Sequence, residues 1–305
     1  MAVVINTNVD SLKIQSLLTS STNKMSQSMQ RMSSGLKILN AKDDAAGTVI
    51  SAKMQVQLNG NQIAQKNVQN ANALLSTTEG NLDVIQDNVT RIRDLTLQAK
   101  NGTYSTDEMK AMQDEVNQRI EEIERISDSA KYSDLQIFGG TLKDGATFQV
   151  GADYGDVNTI DASGSVFADA AFSVLTGMTD TDKLNFETMS KSEKTASDGI
   201  SSVVGSLGVD DCENDFDIAI KALDQAINNI TERKSEIGSI GNRMDSALAT
   251  LTTQYENLSS AKSIITDADV AAEASNFTQQ QILQQVSTSL LAQANQAPSI
   301  ALSLI

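Results

Sequence analysis

Leu223, Ile230, Ile237, Met244, Leu251, Leu258 and Ile265 recur at a strict seven-residue interval, with Ile227, Leu248 and Tyr255 on the companion position four residues on. A repeat held this long fits a helix packed lengthwise against another helix and little else. Lys234, Gly241 and Lys262 fall on the same companion row, where they loosen the seam or let another backbone approach closely. A helix from residue 214 to 265 would run about 75 Å at ~1.5 Å per residue, more than a compact core needs. Composition agrees: aromatics are 4% of the chain and there is one Pro, so apolar surface is expected along helix seams rather than in a thick centre.

The N-terminal half reads as helix in three pieces. Leu18, Met25, Met29, Met32 and Leu36 mark one stripe; Val49, Ala52, Val56 and Ile63 open a second, continued by Leu82, Ile85, Val89 and Ile92. The polar break Asn40-Ala-Lys-Asp-Asp44 separates them, and Asn101-Gly102 is expected to stop the second helix with a left-handed Gly. A third helix starts after Ser105-Thr-Asp-Glu108, with a hydroxyl for the cap and acids in the first turn, and runs to about Ala130 through Val116, Ile120, Ile123 and Ile126.

From residue 132 the glycines at 139, 140, 145, 151, 155 and 164 punctuate short segments such as Thr147-Phe-Gln-Val150, which read as hairpin strands. Residues 161–212 are rich in Ser, Thr, Asp and Ala without periodicity and are expected to be a short, loosely specified surface insert. Residues 267–298 read as a last helix with Ala271, Ala274, Phe277, Leu283, Val286, Leu290 and Ala294 on one face, ending at Pro298. The apolar end Ile300, Leu302, Leu304 and Ile305 is too short for a bilayer, so its expected partner is protein.

The chain has no His, which removes Ser-His-Asp and Cys-His catalysis, His-ligated zinc and an imidazole proton shuttle. Cys212 is the single Cys, so no internal disulfide and no thiolate metal cluster can form. A net charge of −16 with dispersed Lys and Arg argues against nucleic acid. The start, Met1 to Ile5 followed by polar residues, lacks the pattern of a cleaved secretory signal, and no stretch is long and apolar enough to span a membrane. Asp43, Asp44, Asp267 and Asp269 admit two readings, a divalent-cation site or solvated loop and cap acids, of which the second is favoured. No cofactor is expected.

Motifs at both ends resemble bacterial flagellin. At the N-terminus these are Ile5-Asn-Thr-Asn8, Arg31-Met-Ser-Ser-Gly-Leu-Lys37, Ala41-Lys-Asp-Asp-Ala-Ala-Gly47 and Arg91-Ile-Arg-Asp-Leu-Thr-Leu-Gln98. At the C-terminus they are Ala261-Lys-Ser-Ile-Ile-Thr-Asp-Ala-Asp269, Gln281-Ile-Leu-Gln-Gln285 and Leu291-Ala-Gln-Ala-Asn-Gln-Ala-Pro298, in the same order as in that family. The chain departs from the pattern at Leu39, at Thr90 and at Tyr132-Ser-Asp134.

The resemblance implies a mainly α fold in which both chain ends form long antiparallel coiled-coil helices, with a small β-rich hairpin and a variable insert in the middle. It implies residues 1–44 as an inner-core helix and linker, 45–160 as a helical shell domain with the hairpin, 161–212 as the insert, 213–266 as the returning shell helix and 267–305 as the second inner-core helix. Inner-core assembly then falls to Ile5, Leu12, Leu18, Met25, Met29, Met32, Phe277, Leu283, Val286, Leu290, Leu291, Leu302, Leu304 and Ile305, and the shell seam to the heptad from Leu223 to Ile265. Expected function is a structural, non-enzymatic subunit that self-assembles into the extracellular flagellar filament for swimming. Implied partners are other flagellin subunits, hook-associated junction and cap proteins, an export chaperone, the flagellar type III export apparatus and a host flagellin-sensing Toll-like receptor. The receptor positions would be Val89, Arg91, Leu95, Gln98 and Glu115. The alternative is a hook-filament junction protein.

Overall fold

In the computed structural model, residues 8–177, 186 and 215–302 are described, the side chains of 297–302 excepted. Helices α1 (Val9–Ser34), α2 (Ala45–Lys100) and α3 (Thr106–Ser129) are followed by two antiparallel hairpins, β1 (Lys131–Tyr132) with β2 (Leu135–Gln136) and β3 (Ala146–Gln149) with β4 (Thr159–Ala162). A short α4 (Phe172–Thr176), α5 (Asp215–Thr266) and α6 (Val270–Leu302) complete the described elements. By packing, the chain divides into two compact units, Gly60–Thr253 and Met1–Asn59 with Gln254–Ile305. The expectation of a mainly α chain with long terminal helices and small hairpins holds.

In the unit Gly60–Thr253, α2, α3 and α5 close on one another. Leu82, Ile85, Val89 and Ile92 of α2, Val116 and Ile123 of α3, and Ala219, Ala222, Leu223, Ala226 and Ile230 of α5 are all fully enclosed. From the α5 heptad, Leu223, Ile230, Ile237, Met244 and Leu251 are buried, whereas Leu258 and Ile265, in the other unit, are half-buried. Lys234 does not open the seam: its ammonium reaches out to Asp83 and Gln86, so only the aliphatic stem lies against it. Ion pairs Arg93–Asp224 and Lys100–Asp217 also tie α2 to α5.

Helix α3 begins as its sequence indicates. The Ser105 hydroxyl accepts from Glu108 N, and Glu108 carboxylate accepts from Ser105 N at 2.8 Å, a reciprocal capping box. These hydrogen bonds hold the Glu108 carboxyl below its ordinary range. Helix α2 stops at Lys100 as expected, but without a left-handed Gly102; Asn101 N instead donates back to Gln98 O at 3.1 Å. Gly60 answers a close approach: a Cβ there would lie 2.7 Å from Ala152 Cβ, where the β3–β4 loop presses on α2.

Two expectations change. Val49, Val56 and Ile63 are 56%, 71% and 56% exposed, and Ala52 is exposed; the buried row of α2 runs instead through Gly47, Leu58, Asn61, Ala64, Val68 and Ala71. Periodicity shows that a face exists, but the covered face is a neighbouring row that mixes Gly and Ala with Leu58, Asn61 and Val68. Secondly, the start of the segment 161–212 is core. Val166, Phe167, Ala170, Phe172 and Leu175 are buried, joined by Phe186 and Phe216, whose rings lie 6.0 Å apart. Arg233 fixes this stretch by donating to Ala168 O and Asp169 O at 2.9 and 3.2 Å, and burial lowers its guanidinium pKa. The remaining insert residues and Cys212 lie outside the described residues.

Candidate assembly surface

Helix α1 is well delimited. Asn8 caps it by accepting from Ser11 N at 3.0 Å, and Asp10 stands in the first turn. Gly35, at φ 70°, ends it by donating to Arg31 O at 2.9 Å, a left-handed stop that an L side chain rarely adopts. Helix α6 starts on Asp269, whose carboxylate accepts from Ala271 N and Ala272 N at 2.9 and 3.1 Å. The linkers between helices pair with each other: Lys37 N donates to Thr266 O at 2.7 Å and Ala268 N to Gly35 O at 2.9 Å.

Of the acids around these linkers, Asp44 and Asp269 cap helices, whereas Asp43 and Asp267 accept hydrogen bonds within the linkers. Asp43 accepts from Leu39 N and Asn40 N, Asp44 from Gly47 N, and Asp267 from the Ser263 and Thr266 hydroxyls, which depress the Asp267 carboxyl. Among the described residues no cluster of potential metal ligands forms.

Helices α1 and α6 run antiparallel, as cross-contacts that fall from residues 294–295 to 284 and 273 while rising from 8–11 to 22 and 31 show. Asn8 Nδ2 donates to Ala294 O at 2.8 Å, Ser11 Oγ to Asn295 Oδ1 at 2.9 Å, and Gln284 Nε2 to Thr22 Oγ1 at 3.4 Å; Arg31 stands 3.9 Å from Glu273. Their shared seam obeys heptad spacing on both sides. On α1 it is Ser11, Ile14, Leu18, Ser21, Met25, Ser28 and Met32; on α6 it is Phe277, Gln280, Gln284, Ser287, Leu291 and Ala294. All are buried or half-buried, and the most enclosed are Ser21, Ser28 and Ser287, at 5–8% exposure. Small side chains at these positions let the two backbones approach closely.

This arrangement divides the inner-core residues that the sequence singled out. Leu18, Met25, Met32, Phe277 and Leu291 enter the seam. Leu12, Met29, Leu283, Val286 and Leu290 do not: they are 42–58% exposed on the outer faces. Pairing the chain ends therefore leaves much of the apolar stripe uncovered. Sequence reading missed the outward-facing Val9, Leu17 and Ile282, and the serine positions; the heptad 11, 14, 18, 21, 25, 28, 32 was available as a signal, masked by its three serines. Ile5, Leu304 and Ile305 lie outside the described residues, as does the side chain of Leu302. No described helix is long and apolar enough to cross a membrane.

The positions singled out for receptor recognition separate by depth. Val89 and Leu95 are core residues, 0% and 2% exposed, and so are not surface groups. Arg91 lies at the surface with Nε and Nη2 of its guanidinium donating to the two Glu115 carboxylate oxygens, at 2.9 and 3.3 Å, and Glu115 also accepts from Arg119 at 3.1 Å. Hydrogen bonding from Arg91 lowers the Glu115 pKa. Gln98 donates to the Tyr104 hydroxyl at 2.8 Å.

Residues 5–143 match the bacterial flagellin N-terminal helical region, and residues 220–305 the bacterial flagellin C-terminal helical region. The chain is 33% identical to flagellin of Bacillus subtilis (strain 168), covering 99% of each chain, and 35% identical to flagellin of Xenorhabdus nematophila, covering 100% of each. Its fold is similar to a putative flagellar hook-associated protein from Vibrio parahaemolyticus, with a TM-score of 0.52 and 16% identity over 73% of this chain and 99% of that one. The antiparallel terminal helices, both matched helical regions and full-length relatives above 30% identity place the chain in the bacterial flagellin family.

Proposed function

We propose that the apolar faces of α1 and α6 left outside their shared seam are the surface on which further copies of the chain stack. The chain is a structural subunit of the flagellar filament. The carrying observation is that Leu12, Leu17, Ile282, Leu283, Val286 and Leu290 are exposed on helices already paired with each other. An exposed apolar face of this kind fits a protein partner, and no described helix is long and apolar enough to cross a membrane. Unlike a closed dimer, a filament needs an interface that adds copy to copy without closing on itself.

Around that assignment stand the finer elements of the reading. Residues 1–44 and 267–305 serve as the inner core, 45–160 with 213–266 as the shell and 161–212 as the region between the shell helices. The protein works as a structural element outside the cell and not as an enzyme. It reaches the filament through a type III export apparatus with a chaperone, and joins hook-associated junction and cap proteins. Arg91, Gln98 and Glu115 offer the exposed part of a surface for a flagellin-sensing Toll-like receptor, with Val89 and Leu95 supporting it from beneath.

Seeded elongation tests the assembly reading. Wild-type chain added to short filament fragments should give long filaments by negative-stain microscopy. Leu283→Asp with Val286→Asp should not, while keeping the helix content of the wild type by circular dichroism. Filaments from that variant would refute the surface assignment. Absence of filaments from the wild type itself would favour the junction-protein reading. Protease protection of both ends only in the filament would show that assembly covers them.

A further inference from the structure

Helix α6 continues through Pro298 to Leu302, although Pro has no N–H for the carbonyl four residues back. That carbonyl belongs to Ala294, and it accepts from Asn8 Nδ2 at 2.8 Å. The same Asn8 amide uses its oxygen to cap α1, accepting from Ser11 N at 3.0 Å, and the Ser11 hydroxyl donates to Asn295 at 2.9 Å. One side chain thus satisfies a donor at the start of α1 and an acceptor near the end of α6.

We propose that Asn8 and Pro298 form a register lock for the α1–α6 pair, in which Pro298 frees the Ala294 carbonyl and Asn8 is the donor that takes it. The need for a lock follows from the seam. The linker hydrogen bonds set the register at the base of the pair, but six of the thirteen seam positions, Ser11, Ser21, Ser28, Gln280, Gln284 and Ser287, carry small or polar side chains, which specify register less sharply than large apolar ones towards the far end. A slip at the far end takes Asn8 away from Ala294 and leaves that carbonyl without this donor. Asn suits the position because it accepts and donates at once; Asp or Ser can cap the helix but only Asn among the three can both cap and present an amide N–H. The lock rests on the assembly reading only in its consequence: fixing α1 against α6 fixes the spacing between their outward apolar residues.

The test measures register directly. In a Cys212→Ser background, Ser11→Cys with Asn295→Cys should cross-link under mild oxidant, since the two native side chains touch. Yield is read on the free chain and on seeded filaments. Asn8→Asp, which keeps the cap acceptor, should lower it at least several-fold. Adding Pro298→Ala, which restores an N–H for Ala294 O, should bring the yield back towards the starting value. The proposal is overturned if Asn8→Asp leaves the yield unchanged, if Pro298→Ala fails to rescue it, or if the parent pair does not cross-link in either state. Loss of filaments with a normal cross-link would instead count against the assembly surface and leave the lock standing.

Discussion

The two units treat the same kind of residue in opposite ways. Within Gly60–Thr253, Leu82, Ile92, Ile123, Leu223 and Ile230 are wholly enclosed; within the other unit, Leu12, Leu17, Ile282, Val286 and Leu290 are 46–61% exposed and serines take the buried positions. Both use helical heptads, so periodicity alone does not separate a finished core from an unfinished one. What separates them is which row carries the bulk. In the first unit the large side chains lie on the row facing other helices; in the second many of them lie beside it, exposed.

The contrast predicts its largest effect in the core. Ile92→Ala should lower the unfolding free energy of the free chain by ~2–5 kcal/mol in urea titrations, whereas Leu290→Ala should leave it within about 0.5 kcal/mol and impair filament growth instead. Equal losses from both would erase the distinction. Next comes the stretch held by Arg233: Arg233→Met leaves the carbonyls of Ala168 and Asp169 without their donors and should cost ~1–3 kcal/mol, with faster proteolysis between residues 163 and 177. Ser105→Ala should cost about 1 kcal/mol in the same titration by removing one half of the α3 capping box.

The smallest effect is on pH dependence. Glu115 has its pKa lowered, chiefly by the Arg91 hydrogen bond, so the stability it contributes is fully present above its unfolded pKa. That contribution is lost as pH falls through the still lower folded value. Glu115→Gln should therefore flatten the acid limb of the stability curve slightly and leave neutral pH nearly unchanged, the pair being partly exposed. No such change should appear in filament growth, if the two units are as separate in function as in burial.

Much of this was legible in the sequence where one residue type has one use. The hydroxyl and acids from Ser105 to Glu108 announced the start of α3, and the heptad from Leu223 to Leu251 a buried row, whereas Gly35, which ends α1 ahead of Leu36, went unread. The reading failed where the decisive groups are small or polar. Ser21, Ser28 and Ser287 carry no hydropathy signal, yet their lack of bulk is what lets α1 and α6 meet. Val49, Val56 and Ile63 gave a clear stripe, but a stripe does not say whether this chain covers it. Phe167 and Phe172 were lost in an aperiodic segment, because a short buried stretch leaves no period to detect.

The pairing of Gly35 and Lys37 with Ala268 and Thr266 has a consequence for how such a chain can change. Everything between residues 38 and 265 is a loop whose two ends are tied together. Closing a longer loop is inexpensive, about 0.6 kcal/mol for each doubling of its length. A foreign domain grafted between α4 and α5 would thus lengthen the loop without moving the tie from which both terminal helices depart. The tie at its base leaves the length of the middle segment free to vary while the starting points of both terminal helices stay set.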